Sequence, residues 1–283
     1  MPELPEVETT VNDLRPGVLG KKIIAVEILK SGSVAAPSEA EFVKGLKGRT
    51  VRELRRRGKF LVFKLDNGQS LVVHLRMTGS LILASSKLPA EKFVRIILRL
   101  QGGRSIHFRD VRRFGRMWLV ADEESVVGDL GLEPLGPDFT LSTLSAILKK
   151  RTTAIKPLLL NQAIIAGIGN MYADEALYRA RIHPLQPSSS LRPAEIKRLH
   201  ASIQSVLSQG IKNKGASTDT YLRPDGGKGA AHLQFEVAHQ KGKSCSCGGQ
   251  VERIVVGQRG TFYCPRCQRL HPMIRGGGTA NAD

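Results

Sequence analysis

Met1-Pro2-Glu3-Leu4-Pro5-Glu6-Val7-Glu8 opens the chain and decides how the rest is read. Leu4, Val7, Val11 and Leu14 recur at helical spacing. Proline stands at the start, and acids in the first turn face the positive end of the helix dipole. The stretch predicts a helix from about Leu4. It also carries chemistry. A small residue follows the initiator methionine, so aminopeptidase trimming would leave Pro2 as a free secondary amine. Such an amine forms a charged iminium with an aldehyde-like carbon, the logic of lysine Schiff bases. Glu3 beside it can shuttle a proton. The competing reading of the same residues is a plain helix cap.

The remaining 275 positions of this 283-residue chain change the weight of those readings. Lys and Arg outnumber Asp and Glu by 43 to 25, a net charge of +18. That excess points to a polyanion, with nucleic acid ahead of an anionic membrane. No run of 18 apolar residues occurs, and no basic segment followed by an apolar run opens the chain. A cytoplasmic, chromosome-associated (nucleoid) location without membrane attachment is expected. All four cysteines fall between 245 and 267, which favours a metal over disulfides.

Residues 22–120 read mostly as strands: 23–29, 60–65, 70–75 and 94–100 are short, β-branched and separated by turns such as Asp66-Asn67-Gly68. They predict a β-sandwich. From about 138 the period becomes helical. Leu141, Leu144 and Leu148 share a face, Pro157 can open a second helix, and a third runs from Met171 to Arg181. A fourth spans Pro193 to about Lys212. Gly167-Ile168-Gly169-Asn170 lies between two of these helices, either as a phosphate-binding turn or as a plain connection. Residues 215–232 are turn-rich, poor in apolar anchors and read as a mobile loop. The domain plan is 1–135 for the sandwich, 136–232 for the helical domain with its loop, 233–275 for a small basic module, and 276–283 for a disordered tail. The fold class is α+β, multidomain.

Cys245-x-Cys247 and Cys264-Pro-Arg-Cys267 enclose sixteen residues. Four thiolates satisfy tetrahedral zinc, and two close pairs joined by a hairpin make a zinc finger or ribbon. One structural Zn2+ would supply much of the folding energy of so small a module. Arg259, between two glycines near the hairpin tip, is either solvated or presented to phosphate. Two further basic runs stand out, at 55–59 and 109–115. Phe114 is embedded in the second, and Met77 follows His74-Leu75-Arg76. An apolar residue in a basic loop can wedge between bases. Taken singly, each fits a core position better.

With these residues laid out, the chain resembles the bacterial formamidopyrimidine-DNA glycosylase family from residue 1 to about 270. The resemblance rests on Met1 to Glu8, Arg57-Gly-Lys-Phe60, His74-Leu-Arg-Met-Thr-Gly79, Arg112-Arg-Phe-Gly115, Leu132-Glu-Pro-Leu135, Ile155-Lys-Pro157 and residues 167–175. Gln258-Arg259 ahead of residues 262–267 completes it. It implies a helix–two-turn–helix domain between sandwich and zinc finger, with double-stranded DNA bound in the cleft. It also implies excision of oxidised purines (8-oxoguanine and formamidopyrimidines), followed by cleavage at the abasic site. By position, Pro2 would attack C1′, Glu3 would relay protons and Lys59 would contact the backbone and assist catalysis. Arg259 would grip the flanking phosphates and help the second elimination. Met77, Arg112 and Phe114 would fill the gap left by the flipped base. His74 belongs to a matching motif, Lys156 and Asn170 match phosphate-binding positions, and Arg151 falls on another. Residues around Ala216 to Tyr221 would close over the base. A monomer is expected.

The chain departs from that pattern at several points. The first knuckle is one residue short, with His239 and His271 as fallback ligands. Val111 stands where proline is common, residues 91–93 lack the usual histidines, and residues 237–240 are atypical. Two rival functions remain at this level. One is an endonuclease VIII-like glycosylase for oxidised pyrimidines, against which Leu4-Pro5 and Arg112-Arg113-Phe114 argue. The other is a zinc-bearing protein that binds damaged DNA without chemistry, against which the intact N-terminus argues.

Overall fold

The computed structural model describes residues 1–85, 91–218 and 220–271. The first helix, α1 (Leu4–Val18), begins where the N-terminal stretch predicts. The Glu6 carboxylate accepts the Glu3 N–H at 2.7 Å, and Pro5 sits in the first turn, where its missing N–H costs nothing. Leu4, Val7, Val11, Leu14 and Val18 are fully buried, one stripe at helical spacing.

After α1 come β1 (Ile23–Ile28), β2 (Val34–Ala36), α2 (Glu39–Leu46), β3 (Val51–Arg57), β4 (Phe60–Leu65), β5 (Ser70–His74), β6 (Gly79–Ser85), β7 (Val94–Leu100), β8 (Arg104–Asp110) and β9 (Arg116–Val120). They form two sheets, ordered β1-β7-β8-β6 and β2-β9-β5-β4-β3. Every pairing is antiparallel except that of β2 with β9. The inner faces meet in one cluster that includes Leu54, Leu61, Phe63, Leu71, Val73, Ile96, Leu98 and Phe108, with the apolar stripe of α1 packed into it. The molecule thus has the expected sandwich. Helix α2 was not read from the sequence. Only Phe42 and Leu46 of its residues are buried, too few to show a period, and its start rests on the Ser38–Glu41 capping box.

Then follow α3 (Glu124–Val127), α4 (Leu141–Lys149), α5 (Ile155–Leu160), α6 (Asn170–Ala180), α7 (Pro193–Lys212) and the hairpin β10 (Glu252–Val256) and β11 (Arg259–Tyr263). Pro157 is the third residue of α5 rather than its first.

Among the described residues the chain forms two compact units. One comprises Met1–Leu135, Gln162–Gly169 and Leu207–Gln234; the other comprises Gly136–Asn161, Asn170–Val206 and residues from Phe235 onward. Two stretches of the expected helical domain, 162–169 and 207–232, therefore group with the sandwich. Backbone contacts explain why. The Leu4 N–H bonds to the Gly167 carbonyl at 3.0 Å, and the Ala216 N–H bonds to Glu6 Oε1 at 2.7 Å. The segment expected to be a mobile loop is better anchored than its composition suggests. Ala216, Tyr221 and Ala231 are buried, the Tyr221 hydroxyl donates to the Glu6 carbonyl at 3.0 Å, and Leu83 N–H meets the Pro224 carbonyl at 2.8 Å. Asp219 and residues 272–283, which include the expected tail, lie outside the described residues.

Candidate active site and metal centre

In the first unit the N-terminus is seated rather than dangling. Pro2 is buried, and Glu3 is only 2% exposed. The turn at residues 167–169 makes the seat. Gly167 has φ +92°, and a Cβ there would strike Leu4; a Cβ on Gly169 would strike the Glu3 carboxyl group. The two glycines are thus required by close approach to the N-terminus, a third reading beside phosphate binding and a plain turn. The Gln162 side chain holds the turn, accepting the Gly167 N–H and donating to the Ile168 carbonyl, both at 2.9 Å. Sequence reading missed Gln162; an amide just ahead of a Gly-x-Gly turn was its only signal.

Lys59 enters the same region from the β3–β4 turn. Gly58 (φ +54°) lies so close to Ala166 that a Cβ would come within 3.3 Å of the alanine methyl, and its N–H is bonded to the Glu133 carboxylate. The backbone that seats Pro2 and Glu3 thereby also positions the Lys59 turn, and Lys59 is nearly buried. His74 pairs across the sheet with Phe60 and stacks edge-on against it at 4.5 Å. Burial, together with the positive charges of Arg76 and Lys59, pushes its imidazole down to about 3. The ring is therefore neutral. Nδ1 accepts the Arg76 N–H at 2.9 Å, which leaves Nε2 as the protonated nitrogen and a donor. A buried N-terminal residue, a carboxyl, an ammonium and an imidazole N–H donor are thus gathered in one unit. Pro2 becomes an amine only when Met1 is removed, and Met1 is 42% exposed.

Met77 and Phe114 are 36% and 47% exposed, so neither is a core residue. The Arg112 guanidinium lies 4.8 Å from the Phe114 ring centre. One buried carboxylate, Asp110, holds the two loops that carry them: it binds the Thr78 hydroxyl, the Arg112 N–H at 3.2 Å and the Gly115 N–H at 2.7 Å. The arginine run at 55–57, by contrast, is spoken for within the fold. Arg55 pairs with Glu123, Arg56 with Glu8 and Glu133, and Arg57 with Glu133.

In the second unit Arg259 is exposed at the start of β11, just after the two-residue turn Gly257-Gln258, both of positive φ. Lys156 and Asn170 lie behind that strand. Lys156 is fully buried, with its ammonium 2.6 Å from Asp174 Oδ1, 2.8 Å from the Thr261 hydroxyl and 3.3 Å from the Gly260 carbonyl. Asn170 donates to the Gly260 carbonyl at 2.9 Å, and Asp174 accepts the Phe262 N–H at 3.0 Å. Burial pushes the Asp174 carboxyl up to about 7, against the pull of Lys156. Arg151 donates to the Ile147 carbonyl at 3.0 Å, at the end of α4.

The four cysteine sulfurs lie within 4.8 Å of one another, with Cys245–Cys267 at 3.6 Å and Cys247–Cys264 at 3.5 Å. Thiolates about 2.3 Å from a tetrahedral zinc stand about 3.8 Å apart, so the set fits zinc despite the short first knuckle. Neither His239 nor His271 belongs to the cluster.

Three family models match this chain in order. The "Formamidopyrimidine-DNA glycosylase N-terminal domain" matches residues 1–117, the "Formamidopyrimidine-DNA glycosylase H2TH domain" residues 130–221, and the "Zinc finger found in FPG and IleRS" residues 246–270. The chain is a member of the formamidopyrimidine-DNA glycosylase family. Two relatives of that name support the assignment. The protein of Protochlamydia amoebophila is 41% identical over 275 residues, and that of Roseiflexus sp. is 44% identical over 273; each match covers 95% of this chain and 100% of the relative. Two solved structures of the family are similar throughout. The Fpg protein of Thermus thermophilus has a TM-score of 0.85 at 39% identity, covering 96% of this chain and 100% of that one. Lactococcus lactis Fpg, in complex with DNA containing an abasic site, has a TM-score of 0.88 at 35% identity, covering 94% and 99%. The zinc-finger match begins one residue after Cys245, so the geometry of the four sulfurs is what brings Cys245 into the family's zinc centre.

Proposed function

We propose that this chain removes oxidised purines, 8-oxoguanine and formamidopyrimidines, from double-stranded DNA and then cleaves the strand at the abasic site. The observation that carries this reading is the seating of Pro2 and Glu3 on the 167–169 turn beside Lys59, in a chain of this family. Met1 is first removed. The Pro2 nitrogen attacks C1′ of the flipped nucleotide, the damaged base leaves, and an iminium remains between Pro2 and the opened sugar. That cation is an electron sink, so elimination can expel first the 3′ phosphate (β) and then the 5′ phosphate (δ). Hydrolysis of the iminium releases the sugar fragment and restores the amine. Glu3 relays protons, Lys59 and the His74 Nε2–H hold the backbone near the lesion, and Arg259 holds the flanking phosphates. Met77, Arg112 and Phe114 fill the vacated stack. Asn170 and Arg151 support the phosphate-binding surface, and Lys156 does so indirectly, by bracing the strand that carries Arg259. The enzyme works as a monomer in the cytoplasm, at the nucleoid. No described helix is long and apolar enough to cross a membrane.

The deciding experiment is borohydride trapping on a duplex with one 8-oxoguanine opposite cytosine, using protein whose N-terminus is checked by mass spectrometry. A covalent adduct on Pro2, lost or greatly reduced in Pro2→Gly, is the expected result. No adduct from a chain shown to begin at Pro2 would sink the assignment.

A further inference from the structure

Helix α6 ends against the metal module, and its last turn makes an unusual contact there. The Tyr178 hydroxyl lies 3.2 Å from Cys245 Sγ. The Ser246 side chain acts on the same phenol. Ser246 is the single residue between the first two cysteines, so the shortened knuckle places both of its leading residues on one tyrosine. We propose that Tyr178 is an outer-shell ligand of the zinc, donating its phenol proton to the Cys245 thiolate.

The direction of the bond follows from charge. A thiolate on zinc has no proton to give, so the phenol is the donor, and its oxygen is then free to accept from Ser246. The donor has work to do at this site. Four thiolates around one divalent cation carry a net charge of −2. Hydrogen bonds to the sulfurs spread that charge, and groups one shell out from a metal commonly change its affinity 10–100-fold. Cys245 is the ligand that departs from the usual spacing and lies outside the matched zinc-finger segment. The same cysteine receives a hydrogen bond from a helix outside the finger. Tyr178 thus fixes the ligand whose position the short knuckle leaves least determined. This role is independent of which lesion the enzyme excises.

Tyr178→Phe keeps the ring and removes only the donor; the residue is half-buried, so the change leaves packing in place. Two readouts on the full-length, zinc-loaded protein test the proposal. Zinc loss to a chromophoric chelator is expected to be about 10-fold faster in the variant. In the cobalt-substituted protein, the thiolate-to-metal charge-transfer band is expected to move to lower energy, because a thiolate without its hydrogen bond gives up an electron more readily. The tetrahedral ligand-field bands should stay. Ser246→Ala retains Tyr178 but removes the hydroxyl that polarises it, and should shift both readouts the same way by a smaller amount. Unchanged release and an unchanged band in Tyr178→Phe would overturn the proposal and reduce Tyr178 to a packing residue. Should that variant fail to fold, Ser246→Ala decides, and no shift in either readout overturns it.

Discussion

Two buried ionisable residues carry consequences well beyond their size. Lys156 was read as a phosphate-binding position, yet its ammonium is enclosed against Asp174 and Thr261. Removing one member of such a pair strands the other. Lys156→Met is expected to cost about 3–5 kcal/mol of stability at pH 8 in denaturant titrations. The loss should be smaller at pH 5, where Asp174, already raised to about 7, takes up a proton and ceases to be a buried charge. His74 works in the opposite sense. Its folded-state pKa of about 3 lies below the ordinary 6.5, so the unfolded chain binds a proton that the folded chain refuses. The stability it contributes is complete above pH 6.5 and is lost as the pH falls toward 3, at up to about 1.4 kcal/mol per pH unit. His74→Gln should remove that slope from a series of melts between pH 4 and 7, and an unchanged slope would count against a neutral imidazole.

At the scale of elements, the strands at 60–65 and 94–100 and helix α7 were legible because their signals are local: short β-branched runs bounded by turns, or a 3.6-residue period written over enough residues. Two other elements were not. Helix α2 shows two buried residues, and the run Arg55-Arg56-Arg57 hides a strand whose arginines are matched by Glu123, Glu8 and Glu133, partners at least 48 positions away. Long-range pairing leaves no local signature. The candidate site divides in the same way. Pro2, Glu3 and Arg259 announce themselves by residue type and setting, whereas the two glycines that seat the N-terminus read as any turn. Gly169→Ala tests their structural role, because its Cβ would displace the Glu3 carboxyl. Displacement of about 1 Å can cost on the order of 100-fold in rate. Single-turnover excision should fall by that order, while binding to a duplex with an abasic analogue stays close to wild type. An unimpaired rate would show that the carboxyl has room to spare.

Over the whole molecule, the 43 Lys and Arg overstate the cations that DNA meets, although the net charge of +18 does not, because internal pairs remove acids along with bases. Arg55, Arg56, Arg57, Lys64, Arg99 and Lys156 are committed to internal ion pairs. The remaining excess still predicts steep salt dependence. If about 6–10 phosphates are neutralised, affinity for undamaged duplex should fall roughly 10³–10⁵-fold between 50 and 200 mM salt. A fluorescence-anisotropy titration measures the slope, and a flat one would contradict a polyelectrolyte interface.

The paired sulfurs of the zinc centre have one more implication, and it concerns oxidants. Cys245 with Cys267 and Cys247 with Cys264 stand 3.6 and 3.5 Å apart, and Cys247 and Cys267 are partly open to solvent. Peroxide can take two electrons from either pair, closing a disulfide, expelling the metal and being reduced to water. An enzyme of oxidative damage therefore carries a component that the same stress consumes. Under graded peroxide, zinc release should precede any loss of secondary structure in the sandwich, and a thiol reductant with added zinc should restore the finger.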